Sequence, residues 1–295
     1  MNSPFKNYKY RTYKAALRDL QEGSVYFATH SQFHAKNDWL EGKFIMETSG
    51  STFSKAVVNG LNEIMIKRGS QNRYGMNFIP RLDDMVIQEN KIFINQIKIL
   101  GIFSTSGTYF NQAMWVHYCE NEGVCFELEW NEELINEMHL KVQKVNYSDD
   151  PRIVNRDIIY KNLLIELGEN NPGWSINKIL DISLSVEFRK RWRDEFIIKC
   201  SAAKRSCWEY EDEIRILSPK SQVFSILKQL LKSVYIFIPK FSDPNFKEEI
   251  DKSHFLRMIW VQLVDKYPDV KLFGLSFDNS GKLNKEEIKL RKYTK

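Results

Sequence analysis

Carboxylates recur at every second position of Trp208-Glu209-Tyr210-Glu211-Asp212-Glu213-Ile214-Arg215-Ile216-Leu217, and a guanidinium closes the row. Successive side chains of a strand point to opposite faces. Read as a strand, this stretch puts Glu209, Glu211, Glu213 and Arg215 on one face. Tyr210, Ile214 and Ile216 share the other, with Asp212 among them. Like charges two residues apart repel, so one of these carboxylates is expected to titrate high unless the row lines a polar cleft or faces water. The row is therefore the candidate chemical centre. One chemistry it could do is metal-dependent cleavage of nucleic acid. Glu211, Asp212 and Glu213, with Asp149 and Asp150, would offer oxygen ligands to Mg²⁺, with Lys204 assisting. A solvated edge strand uses the same pattern with no chemistry, because its charges deter unwanted pairing.

Two other clusters carry reactive side chains. His117 and Cys119 flank Tyr118 and could be read as a base and a nucleophile, but sequence neighbours rarely adopt that geometry and no third partner is evident. His30 and His34 stand four apart with Asp38 and Glu41 nearby, in a segment that reads as a polar loop with a turn at Asp38–Gly42. No metal site is expected from them.

The elements that must position these residues are legible in outline. Tyr8–Arg11 reads as a strand, with Lys9 and Arg11 on one face and Tyr8 and Tyr10 on the other. Thr12 can cap a helix running to about Leu20, and Gly23 can end it. Strands are expected at Ser24–Ala28, Ile97–Thr105, Gly123–Glu129, Leu140–Tyr147, Val234–Ile238 and Val270–Phe277, besides the charged row itself. Helices are expected at Ser51–Lys67, about 81–97, about 133–138 after Asn131, through the stretch 151–199 around Pro172-Gly173, and over most of 243–265. The tail from Asn279 reads as a loop or frayed helix. The expectation is one α+β domain over 1–295, a central mixed or antiparallel sheet flanked by helices, with a helical insertion at about 151–199.

The totals narrow the class. The 295 residues are 43% hydrophobic and 13% aromatic, enough for a substantial core. No run approaches the roughly 18–20 apolar residues of a membrane span, and the start lacks the apolar region of a signal peptide. Cys119, Cys125, Cys200 and Cys207 show no CxxC spacing, which argues against a zinc ribbon and fits free thiols in a reducing cytosol. A cytoplasmic protein without a membrane partner is expected. The net charge of +5 is mildly basic, short of a dedicated nucleic-acid binder. The basic residues do cluster, at Arg189-Lys190-Arg191-Trp192-Arg193 and at Lys204-Arg205. Such clusters are a solvated helix surface or a face for a phosphate-bearing ligand.

Four pieces recur in a telling order. They are Tyr8-Lys9-Tyr10-Arg11; Val25-Tyr26-Phe27 with Asn37–Phe44; Phe103-Ser104-Thr105-Ser106 with Met114-Trp115-Val116-His117-Tyr118 and Gly123–Phe126; and Lys204 with Trp208–Arg215. Together, over about 8–280, they resemble the bacterial unknown-function family numbered twenty-nine seventy-one, with its YKYR start, FNDPxE loop, SLS…MWxHY middle and KxxxWxYExExR end. Phe33–Trp39 departs from the loop motif and lacks its proline, and Ser-Thr-Ser replaces Ser-Leu-Ser. More distantly, the order of a basic or aromatic strand, a strand ending in Ser-Thr-Ser and a strand with Glu-x-Glu looks like the ADP-ribosyltransferase fold.

That second resemblance implies an enzyme using NAD as substrate, with no metal. Breaking the nicotinamide–ribose bond passes through an oxocarbenium-like state, as glycoside cleavage does. Glu213 would stabilise it and hold a ribose hydroxyl, and Glu211 would help deprotonate the acceptor. Lys9 or Arg11, beside Tyr10, would bind the diphosphate or ribose. Ser104, Thr105 and Ser106 would shape the nicotinamide site, and Tyr26 and Tyr118 could stack on nicotinamide or acceptor. His117 would contact substrate or be structural, and Arg215 would fix a glutamate rotamer. The acceptor would be nucleic acid or protein, the role that of a toxin or anti-phage effector, and a neutralising antitoxin a natural partner. The alternatives are the metal-dependent nuclease and a non-catalytic binding domain.

Overall fold

Strand β1 (Phe5–Thr12) is an interior strand of the larger sheet and contributes Tyr8, Lys9 and Tyr10 to the candidate site. The computed structural model describes residues 4–29, 32, 50–78, 82–119, 123–149, 154–237, 254–277 and 283–288. The polar loop with His30, His34, Asn37, Asp38 and Glu41 lies outside the described residues, as does Asp150. The other strands are β2 (Val25–Thr29), β3 (Gly101–Ser106), β4 (Gly123–Trp130), β5 (Lys141–Lys144), β6 (Asn146–Tyr147), β7 (Ala203–Lys204), β8 (Glu213–Ser218), β9 (Gln222–Phe224), β10 (Leu231–Phe237), β11 (Lys271–Phe277) and β12 (Leu283–Ile288). The architecture is α+β. Ten strands run in the order β12-β11-β10-β4-β1-β3-β2-β9, with β8 pairing β3 and β5; β6 and β7 make a separate pair. Within the ten, all pairs are antiparallel except β10 with β11.

The chain divides into two compact units. The first holds 1–29, 100–145 and 207–295, and contains the large sheet; the second holds 30–99 and 146–206 and is mainly helical.

In the first unit, local chemistry sets the entry to the fold. Thr12 accepts a hydrogen bond from the Ala15 amide and caps the helix Tyr13–Glu22. Gly23 ends that helix at φ +64°, a left-handed conformation that glycine adopts without a Cβ penalty. One face of the sheet is covered by this helix and by His254–Lys266, around Leu20, Val124, Phe126, Leu128, Val234, Ile236 and Leu263. On the opposite face, the helix Gln112–Cys119 packs against β1 and β4 through Met114, Trp115 and Cys119, with Tyr10, Cys125 and Tyr235.

Two elements differ from their sequence patterns. Only Glu213–Ser218 of the charged row is strand; Ser206–Glu211 is a one-turn-plus 3₁₀ segment. Asp212 joins them at φ +43°. An aspartate tolerates this left-handed conformation better than most residues. In the tail, Leu283–Ile288 is strand: it pairs antiparallel with β11 at the sheet edge, and Ile288 packs against the core.

In the second unit, the helix Gly50–Lys67 packs against Arg156–Asn170, and Asp83–Ile99 against Val186–Ser201. The helices Arg156–Asn170, Ile176–Ser183 and Val186–Ser201 occupy most of the expected insertion. Phe53, Tyr160 and Trp192 interlock at its centre, with ring centroids 4.7–5.1 Å apart. Among the described residues, no helix is long and apolar enough to cross a membrane.

Candidate functional site

β8 brings its charges against β3 in a fixed register: Glu213 lies opposite Ser106 and Arg215 opposite Ser104. Glu213 and Arg215 are two residues apart, so they share a face, and the pair is closed within the strand. Arg215 Nε donates to Glu213 Oε1 at 2.8 Å and Nη2 to Oε2 at 3.2 Å. Both are buried, at 1% and 0% exposure. This side-on fork matches the two carboxylate oxygens and fixes the glutamate rotamer. Ser104 Oγ also donates to Glu213 Oε1.

Glu211 ends the 3₁₀ segment and is 2% exposed. Tyr118 reaches it from the helix Gln112–Cys119, its hydroxyl donating to Glu211 Oε1 at 2.8 Å. Burial, and then the carboxylate, push the Tyr118 phenol well above its ordinary range, so it remains a donor. The turn that separates the two glutamates is braced. The Asn111 side-chain amide donates to the Tyr210 carbonyl, and the Gly107 amide to the Asp212 carbonyl at 2.8 Å. Lys144 pairs with the Asp212 carboxylate at 2.9 Å. A Cβ at Gly107 would meet that carboxylate at 2.1 Å, so a larger residue there would push the Asp212 side chain aside.

From the opposite side β1 contributes Lys9. Its ammonium donates to the Ser104 carbonyl at 2.5 Å and lies 5.0 Å from the centre of the Phe103 ring. Burial pulls its pKa down from 10.5 to about 7, helped by Arg11 and opposed by Glu213, Asp19 and Glu211. At neutral pH Lys9 is thus poised between its charged and neutral forms, and a nearby anion would draw a proton onto it.

Tyr8, Lys9, Tyr10, Ser104, Thr105, Ser106, Met114, Tyr118, Glu211 and Glu213 line one small cleft. Eight of these ten carry sequence-stated roles; Tyr8 and Met114 do not, although both fall inside the quoted motifs. Thr105 donates to the Ile214 carbonyl at 2.9 Å and Tyr10 to the Thr108 carbonyl at 3.0 Å, so both side chains fasten the walls. Ser106 accepts from the Thr108 amide at 3.3 Å.

The remaining candidates lie elsewhere. Arg11 pairs with Asp19 of the first helix at 2.8 Å and does not line the cleft. Its side chain follows that of Lys9 by two positions, yet Asp19 offers a counter-charge that the cleft does not need to supply. Tyr26 is 38% exposed on β2, opposite Val223 of β9, and is outside the cleft. His117 is exposed, 6.0 Å from the Tyr210 ring, and also outside it. Arg215 acts through Glu213 rather than from the cleft wall.

The structure places Cys119 as a buried residue and not a nucleophile, in keeping with the sequence. Cys119 is fully buried, its thiol faces the Val124 carbonyl at 3.7 Å, and burial pushes its pKa up to about 12, which removes the thiolate a nucleophile needs. Of the ligand set drawn for a metal-dependent nuclease, Asp149 accepts from Ser206, Glu213 is paired with Arg215 and Asp212 with Lys144, and Asp150 lies outside the described residues.

Residues 114–216 match the family model described as a protein of unknown function (DUF2971). The resemblance to that family carried by the motifs holds over this stretch, which contains both Met114–Tyr118 and Trp208–Arg215. No curated protein and no solved structure matches the chain.

Proposed function

We propose that the first unit is an ADP-ribosyltransferase that cleaves NAD and modifies a macromolecule. The observation that carries this reading is the convergence of Lys9, Ser104, Glu211 and Glu213, from three separate motifs, on one cleft. In this reading the bond between nicotinamide and ribose C1′ breaks and nicotinamide leaves with the electron pair. Glu213, oriented by Arg215, faces the positive charge that develops on the ribose. The acceptor oxygen or nitrogen attacks C1′ and gives its proton to Glu211, which Tyr118 holds in place. Lys9 supplies positive charge for the diphosphate and takes up a proton as the anion arrives. Ser104 is a positioning residue, bound to Glu213 through its hydroxyl and to Lys9 through its carbonyl.

The acceptor in this reading is nucleic acid or protein inside the cell, and the chain a cytoplasmic toxin or anti-phage effector held in check by an antitoxin. The test uses NAD labelled in its adenylate half, incubated with the protein and separate DNA, RNA and protein fractions. Label transferred to one fraction, and lost in Glu213→Gln and Glu211→Gln, supports the reading. No transfer and no nicotinamide release, with Mg²⁺-dependent cutting of nucleic acid instead, replaces it with a nuclease.

A further inference from the structure

Six of the side chains that line the cleft carry a hydroxyl: Tyr8, Tyr10, Ser104, Thr105, Ser106 and Tyr118. In a site that joins a sugar carbon to an oxygen or nitrogen nucleophile, each is a nucleophile already in place. Their surroundings separate them. Tyr10 donates to the Thr108 carbonyl and Thr105 to the Ile214 carbonyl. A carbonyl oxygen accepts a hydrogen bond but is too weak a base to take the proton. The Ser106 hydroxyl accepts from the Thr108 amide, and the Tyr8 ring packs against Tyr109 and Tyr235. Ser104 donates to Glu213 Oε1, an oxygen that Arg215 Nε also grips. Tyr118 instead donates to Glu211 Oε1 at 2.8 Å, and Glu211 is the carboxylate that takes the acceptor's proton.

Two further observations set Tyr118 apart. Of the ten residues lining the cleft it alone is exposed, at 41%, although its hydroxyl meets the buried Glu211. An exposed ring changes rotamer readily, so a group built on its oxygen has room to swing outward. Burial first, and then the charges of Glu211 and Glu213, hold the phenol protonated, so its proton leaves as a base removes it. A hydroxyl within hydrogen-bond reach of a carboxylate base is the arrangement of an activated nucleophile.

We infer that Tyr118 is itself an acceptor: with NAD and no macromolecule present, the chain transfers ADP-ribose to its own Tyr118 hydroxyl. This rests on the reading of the cleft as an NAD site. In the step, the bond between nicotinamide and ribose C1′ breaks, and nicotinamide leaves with the electron pair. Tyr118 Oη forms the new bond to C1′, and its proton passes to Glu211 Oε1. A macromolecular acceptor enters the same reaction by taking the place of the Tyr118 hydroxyl at Glu211. One adduct per chain results, since Tyr118 is the cleft hydroxyl that meets the base.

The test incubates the full chain with NAD alone. Intact and peptide masses are read, and free nicotinamide is followed in the same samples. The expected result is one ADP-ribose per chain, on Tyr118, formed at a rate per chain that does not depend on protein concentration. Glu211→Gln should slow the labelling by about 100-fold or more. Tyr118→Phe should abolish it, and Tyr26→Phe, which removes an exposed phenol outside the cleft, should keep it. If Tyr118→Phe fails to fold, the peptide map of the wild type carries the test. In a mixture with wild type, a Glu213→Gln chain should stay unmodified, as transfer within one chain requires. Nicotinamide release with no adduct, with the adduct on another residue, or with an adduct on the Glu213→Gln chain overturns the inference and leaves the NAD reading standing. No release from the wild type with any acceptor overturns both.

Discussion

Two buried arginines make opposite use of the same chemistry. In the first unit, the Nε and Nη2 edge of Arg215 is filled by Glu213 from its own strand. In the second, the corresponding edge of Arg156 meets no acceptor among the described residues. The first pair is complete within the chain, so its product is geometry: a carboxylate held in one rotamer at the edge of a cleft. The second is incomplete among the described residues, so its donors carry a desolvation cost that no acceptor returns. Burying an ion pair costs desolvation that its own attraction only partly returns. Arg215 is thus better understood through what it holds than through what it adds to stability.

The largest expected effect separates the two. Arg215→Met leaves Glu213 buried without its cation and should cost about 3–5 kcal/mol of unfolding free energy. Arg156→Met removes a guanidinium with two unmatched donors and should cost less than about 1 kcal/mol. Urea unfolding of both variants reads this directly. Comparable losses at the two positions would break the comparison.

The next effect depends on pH. The folded-state pKa of Lys9 is about 7, below its ordinary 10.5. Between those values the unfolded chain holds a proton that the folded chain does not, so stability rises with pH, by at most about 1.4 kcal/mol per unit. Below about 7 both forms are protonated and the slope vanishes. Lys9→Met should flatten the rise between pH 7 and 10; an unchanged slope would show that Lys9 is not the buried base it resembles here. A smaller effect belongs to Gly107→Ala. It displaces the Asp212 carboxylate from Lys144, an exposed pair, and should cost about 1 kcal/mol or less, measured as a lower Tm. Smallest is a labelling contrast: Cys207 is exposed and should react with a thiol reagent in the folded chain, while Cys119, Cys125 and Cys200 are buried and should not.

Much of the first unit was legible in the sequence because its determinants are local. Thr12, Gly23 and Asn131 announce helix ends through their own side-chain or backbone chemistry. The strands β4, β10 and β11 announce themselves through apolar content. The charged row misled at its first half. Its alternation from Trp208 to Glu211 has the period of a strand, but Asn111 and Gly107, about a hundred positions away, bind the backbone into a turn. Glu211 and Glu213 still reach one cleft, although the turn rather than strand alternation brings them there. The place of Arg11 was hidden for a similar reason: strand alternation gives its face but cannot show that Asp19 waits there. The setting of Arg189 and Arg193 was the least legible. Their basic cluster was visible as a run, yet only tertiary packing shows which arginines turn inward and that Glu89 meets them.

The central claim rests on the cleft of the first unit, and nicotinamide release tests it most directly. Purified wild-type protein is incubated with NAD, alone and with an acceptor fraction, and free nicotinamide is followed over time. The account predicts release by the wild type and a fall of about 100-fold or more in Glu213→Gln and in Glu211→Gln, with folding of each variant checked by circular dichroism. Release that survives both substitutions, or no release from the wild type with any acceptor, would contradict it.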